Sequence, residues 1–150
     1  MAPQTLPVDL TPHNAVMLYD GLCAFCDATV RWLLQHDHAG RIFFAPQQSS
    51  FAQTVFTRHH LQAGAGNTVY LLIHPGTNEE KILQRGDAIL HALTLLGGTW
   101  KCIAILLRLL PRTLRDAVYT TIAHNRHRIA GKLTECRLPT SAERSRFIGL

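Results

Sequence analysis

Cys23 and Cys26, separated by Ala24 and Phe25, are the side chains of this 150-residue sequence whose type and spacing can do covalent chemistry. They stand where a short apolar run, residues 15–19, gives way through Asp20-Gly21 to a helical pattern. A helix N-terminus presents unpaired backbone N–H groups and the positive end of the macrodipole, so a sulfur anion is stabilised there. A free thiol titrates at about 8.5, and cysteines in such positions at about 3.5–7.5. The second cysteine lies one turn deeper on the same side, where a disulfide can form. The pair reads as a dithiol in which Cys23 attacks a substrate disulfide and Cys26 resolves the mixed disulfide. Asp20 is the third candidate. It either accepts the Cys26 proton during resolution or caps the turn by accepting backbone N–H groups.

Hydrophobic periodicity supplies the elements that must hold these residues. Residues 15–19 form an uninterrupted apolar run, as expected of a strand covered on both faces. From Cys23 to His38 the period is helical, with Cys26, Val30 and Leu33 on one face, Phe25 and Trp32 beside it, and Gly40 as a stop. Residues 41–45, closed by Pro46, make a second buried strand, and two such strands joined by a helix form a parallel, right-handed βαβ unit. A helix within 47–62 carries Phe51, Val55 and Phe56, and the glycine-rich stretch 64–67 breaks it. Residues 68–74 are rich in β-branched and aromatic side chains and read as a strand, which a turn at 75–78 and a return arm at 79–84 turn into a hairpin. A helix starting at Asp87 buries Ile89, Leu90, Leu93 and Leu96 and ends at Gly97-Gly98.

The resulting order is β-α-β-α-β-β-α, an α/β fold. It divides the chain into an irregular arm (1–14), a sheet-bearing domain (15–98) and a helical extension (99–150) packed on the same domain. In that extension residues 100–110 form a helix with Ile103, Leu106, Leu107 and Leu110 turned inward and Cys102 as an inert core thiol. Pro111 opens the next helix; its Leu114, Val118 and Ile122 recur every four residues, and Gly131 is its C-cap. Thr140-Ser141-Ala142-Glu143 is a capping-box sequence for a short terminal helix containing Phe147.

Composition narrows the class. At 47% hydrophobic residues the chain is globular rather than disordered. A domain of this length buries roughly 68–70% of its unfolded surface, so neither a disulfide nor a metal staple is required. No run of 18 apolar residues occurs, because His91, Lys101 and Arg108 interrupt the most apolar stretch, 88–110. The first 15 residues lack the features of a signal peptide. A reducing cytosolic setting is expected, in which paired cysteines are catalytic or metal-binding more often than structural. The net charge of +5 is unevenly spread: residues 100–150 carry ten Lys/Arg against three Asp/Glu, residues 1–99 five against seven. A basic C-terminal third reads first as a solvated arginine-rich face. An acidic protein, an anionic lipid surface or nucleic acid are its alternatives. Nucleic acid fits poorly, because the stretch 126–132 has no aromatics among its charges.

The context of the cysteine pair adds a resemblance. Asp20-Gly21-Leu22-Cys23-Ala24-Phe25-Cys26 resembles the D-G-x-C-x-x-C signature of the DCC-type thiol-disulfide oxidoreductases, a thioredoxin-like family. Gln48-Ser49 is similar to the family's Q-S element, Gly86-Asp87-Ala88 to its S-D-A helix start, and Leu110-Pro111 with Leu114–Tyr119 to its L-P…L-R-D-x-V-Y segment. Asn125-Arg126, Arg128, Gly131 and Cys136-Arg137-Leu138-Pro139 resemble its closing region. The resemblance implies a thioredoxin-like core and thiol-disulfide exchange. Disulfide-bearing proteins or small thiols would be the substrates and a cellular thiol system the electron donor, with no bound cofactor. Thioredoxin-like folds place a cis-proline before the strand facing the dithiol, where this chain has Thr68, so substrate docking is expected to differ.

Two other classes remain open on the sequence. One is a zinc-binding structural module using Cys23, Cys26, Cys136 and a histidine, His124 or His127. The other is a non-catalytic interaction module that docks through the basic C-terminal face, with an anionic membrane among its partners.

Overall fold

Residues 15–19 are buried without exception, and the reason is their position: Ala15–Tyr19 (β1) lies between two other strands and is covered on both faces. The computed structural model describes residues 10–62, 68–131 and 138–149. β1 leads into a helix, Ala24–His36 (α1), and on to Ile42–Pro46 (β2), which pairs with β1 in parallel. A second helix, Ser50–Arg58 (α2), follows, its N-terminus capped by the Ser49 hydroxyl, which accepts the Ala52 N–H. The hairpin Tyr70–Ile73 (β3) and Lys81–Gln84 (β4) is antiparallel, and β3 pairs antiparallel with β1, so the sheet runs β2-β1-β3-β4. A helix Arg85–Leu96 (α3) completes the order β-α-β-α-β-β-α, the thioredoxin-like core expected from the sequence.

Alternation along the strands builds two cores. Ala15, Met17, Tyr19, Ile42, Phe44 and Leu71 point to one face, where Val30 and Leu33 of α1 and Ala88 and Ala92 of α3 cover them. Val16, Leu18, Ala45, Tyr70 and Leu72 point to the other, against Ala52, Val55 and Phe56 of α2. The half-buried Ile89, Leu93 and Leu96 leave Leu90 as the most enclosed leucine of α3.

The helical extension departs from its expected packing. Gly97 and Gly98 both have positive φ (73° and 53°), a corner that only glycine takes without strain. It folds Gly98–Arg108 (α4) back against α3. Ala104, not a leucine, is the buried residue of α4, while Leu106, Leu107 and Leu110 are exposed and so is Cys102. Of the inward face assigned from the sequence only Ile103 is half-buried, and Cys102 is not a core thiol. α4 is apolar nearly all round, so periodicity alone does not select a face; close approach to α3 favours the small side chain. The following helix, Arg112–Ala130 (α5), likewise packs through Ala123 and Arg126 and leaves Leu114, Val118 and Ile122 exposed.

The C-terminal segment also differs. Glu143 does accept the Thr140 N–H, half of a capping box, but only a 3-10 turn follows, Arg144–Arg146. Phe147 lies beyond it as an extended residue bridging Phe44 in parallel, and Ile148 donates its N–H to Phe44 O at 2.8 Å. This short edge segment extends the sheet beside β2, and Arg146 fixes it by bonding the buried Asp37 carboxylate and Ile42 O.

Candidate active site

Cys23 is the N-cap of α1. Its backbone is extended (φ −97°, ψ 116°), its carbonyl accepts the Asp27 N–H, and its Sγ accepts the Cys26 N–H at 3.4 Å. A cap residue normally offers a side-chain oxygen to these orphan amides; here a sulfur takes that place. The two cysteines are thus brought together as the spacing required. They differ in exposure: Cys23 is completely buried, whereas Cys26 is half-buried.

Asp20 holds the turn before α1. Its Oδ1 accepts the Leu22 N–H at 3.0 Å and Gln48 Nε2 at 3.0 Å, and its carbonyl accepts the Cys23 N–H. Gln48 returns its Oε1 to the Gly21 N–H at 3.2 Å. Asp20 is therefore a turn cap. It is also an ion-pair partner: Arg126, from α5, donates Nη2 to Asp20 Oδ2 at 3.2 Å and points Nη1 at Cys26 Sγ, 3.6 Å away. Burial pushes the Cys26 thiol up to about 12, helped by its hydrogen bond to Cys23 and by Cys23's charge; Arg126 and the Asp20 backbone pull the other way. Burial wins, so Cys26 keeps its proton at neutral pH.

Above Cys26 opens a pocket of about 460 Å³, shared with solvent and almost wholly apolar. Met17 and Tyr19 of β1, Phe25 and Ile89 line it, and Ile122 forms part of its wall. Tyr119 of α5 lines it too, and its hydroxyl accepts the Val69 N–H at 3.0 Å. That amide lies at the mouth of β3, beside Thr68, and a side chain of α5 occupies it. Burial raises the Tyr119 phenol above its ordinary value, so it stays protonated.

Comparison with known proteins accords with this geometry. The DCC1-like thiol-disulfide oxidoreductase family model matches residues 17–132, which takes in the cysteine pair, Gln48, Tyr119 and Arg126. This chain belongs to that family. YuxK of Bacillus subtilis (strain 168) is 30% identical over 135 residues, covering 90% of this chain and 94% of YuxK. A chloroplastic DCC family protein of Arabidopsis thaliana is 24% identical over 123 residues, covering 82% of this chain and 69% of the relative. No solved structure matches the chain.

Within this DCC1-like chain the motifs that carried the resemblance acquire physical roles. Gln48 of the Q-S element clamps the Asp20-Gly21 turn, and Ser49 caps α2. Asp87 pairs with Arg112 and Arg115, tying the start of α3 to α5. Arg126 is the residue the sequence reading misplaced: read as part of a hydrated basic face, it is only 6% exposed and lies between Asp20 and Cys26. The signal for it was its place in the closing region, since a charge among charges gives no sign of burial. Cys136, named for a zinc set, lies outside the described residues. His124 is exposed and bonds Thr120 O. Among the described residues no group of three or more His, Cys, Asp or Glu could hold a metal ion.

Proposed function

We propose that Cys23 and Cys26 are the dithiol of a thiol-disulfide oxidoreductase, with Cys23 as nucleophile, Cys26 as resolving thiol and Asp20 as proton acceptor. The observation that carries this reading is the Cys26 N–H donated to Cys23 Sγ at the first turn of α1. A backbone donor at a helix N-terminus stabilises negative charge on the atom that accepts it. Cys23 thiolate attacks one sulfur of a substrate disulfide, the S–S bond breaks, and the second substrate sulfur leaves as a thiolate. Cys26 then attacks Cys23 Sγ in the mixed disulfide and releases the other substrate thiol. Two electrons pass to the substrate, and a cellular thiol reductant returns them to the Cys23–Cys26 disulfide. Cys26 must lose a proton in the second step. The Arg126 guanidinium against its sulfur favours that loss, and Asp20, tied to the same guanidinium, receives the proton.

Substrates are disulfide-bearing proteins or small thiols that enter the apolar pocket. Cys23 is buried and is not among the residues that line this pocket, so its attack requires the 20–23 turn to open, which breaks the Gln48 and Arg126 contacts. A second reading, in which Cys26 attacks first, is favoured by its position on the pocket wall. Against it, burial raises the Cys26 thiol well above its ordinary value, which disfavours the thiolate that attack requires.

Single serine variants separate the two. Challenged with a disulfide-bearing peptide, Cys26→Ser is expected to accumulate a mixed disulfide on Cys23, while Cys23→Ser stays unreacted. A mixed disulfide on Cys26 in Cys23→Ser, formed at the wild-type rate, would invert the roles. Failure of the oxidised wild type to form a Cys23–Cys26 disulfide would remove the dithiol reading altogether.

A further inference from the structure

α4 presents its apolar side to solvent. Cys102, Ile105, Leu106 and Leu109 recur at helical spacing on one face, and all are exposed, Leu106 by 64% and Leu109 by 78%. Leu110, and Leu114, Val118 and Ile122 of α5, are exposed as well, and Ile122 lines the pocket that Cys26 also lines. Lys101 and Arg108, seven residues apart on the margin of the α4 face, are both exposed; Arg112 follows, exposed and bridging Asp87. Exposed aliphatic side chains in this number mark an interaction surface.

We propose that this α4–α5 surface docks on an anionic lipid bilayer, lying in the interface rather than crossing it. Charge complementarity is the first argument: an aliphatic face with a Lys/Arg margin, here the exposed Lys101 and Arg108, is the composition of interfacial helices. A second copy of the chain would bring identical basic margins together, which repel. Protein interfaces draw their binding energy from Trp, Tyr and Arg anchors, with Leu and Val under-represented; the exposed face here is aliphatic. Among the described residues no helix is long and apolar enough to cross a membrane. The proposal does not depend on the thiol chemistry, and binding is expected to survive replacement of Cys23 and Cys26 by serine.

The test is flotation of the full chain with vesicles of phosphatidylcholine alone and with about one phosphatidylglycerol in three lipids. Binding to the anionic vesicles is expected, weak binding to the neutral ones, and release by salt. Lys101→Gln with Arg108→Gln should lower partitioning about 25-fold, a factor of about five for each charge. Leu106→Gln with Leu109→Gln should lower it at least about tenfold. These positions are exposed, so both variants should keep the wild-type circular dichroism spectrum. Vesicles should also shield Cys102 from a soluble maleimide, read peptide by peptide by mass spectrometry. Absence of binding to anionic vesicles, unchanged partitioning of the leucine variant, or undiminished Cys102 labelling would each overturn the proposal. So would a concentration-dependent dimer, or capture of an acidic protein, that the leucine variant abolishes while lipid binding persists.

Discussion

Asp20 and Arg126 place opposite charges beside one dithiol, and their removal should move its reduction potential in opposite directions. Arg126 points Nη1 at Cys26 Sγ from 3.6 Å and is almost fully buried, so water screens little of its field. A hydrogen bond from a charged donor contributes about 1.5–3 kcal/mol. Because the reduced pair, with Cys23 as its thiolate and the Cys26 thiol bonded to it, carries more negative charge than the disulfide, Arg126→Met withdraws a buried positive charge that favours the reduced form. About 1.4 kcal/mol corresponds to about 30 mV for a two-electron couple, so the variant should be more reducing by roughly 30–60 mV. Asp20→Asn removes an anion instead, keeps a side-chain oxygen for the Leu22 N–H, and should be more oxidising. The assay is equilibration against graded glutathione mixtures, alkylation, and mass spectrometry of the 23–26 peptide. Destabilisation of the fold alone does not give opposite signs in the two variants. Shifts of the same sign, or an Arg126→Met potential within 10 mV of wild type, would falsify the electrostatic account (a shift of 10 mV being only about 0.5 kcal/mol).

Other outcomes test the scaffold and its titrating groups. Phe147→Ala empties a site packed on Phe44 and Tyr19 and should cost about 3–5 kcal/mol in urea unfolding; a loss below about 1 kcal/mol would mean that the C-terminal segment is not part of the core. Gln48→Ala removes the clamp on the Asp20-Gly21 turn and should speed alkylation of the buried Cys23, and an unchanged rate would show that the clamp does not gate access. His91 is held below its ordinary 6.5 by burial first, then by Arg108 and His74. The unfolded chain therefore takes up a proton that the folded chain refuses, and stability falls as pH drops through about 6.5 and below. His91→Gln should flatten that fall in denaturation curves between pH 7.5 and 5.5, and an equally steep fall would exonerate His91. Gly149→Ala should destabilise, because φ is +76° and a Cβ would sit 2.8 Å from Ser49 Cβ; equal stability would show that the chain end moves aside at no cost.

The sequence by itself determined the strands, the first three helices and the cysteine pair. Their signals are local: β1 is apolar throughout because both its faces are covered, and Cys23 caps α1 because a helix must begin after Asp20-Gly21. Motif resemblance reached Gln48, Tyr119 and Arg126 without saying what they do. Only the tertiary structure decided that a guanidinium a hundred residues away lies against Cys26 Sγ, that Cys23 is buried while Cys26 faces the pocket, and that α4 and α5 turn leucines outward. Those outcomes depend on which faces of the helices meet. α4 approaches α3 through Ala104, because a small side chain lets two backbones come close. α5 commits Arg126 to Asp20, because a buried cation needs an anion more than a leucine needs shelter. Periodicity records that a face is apolar; contact geometry settles which face is covered.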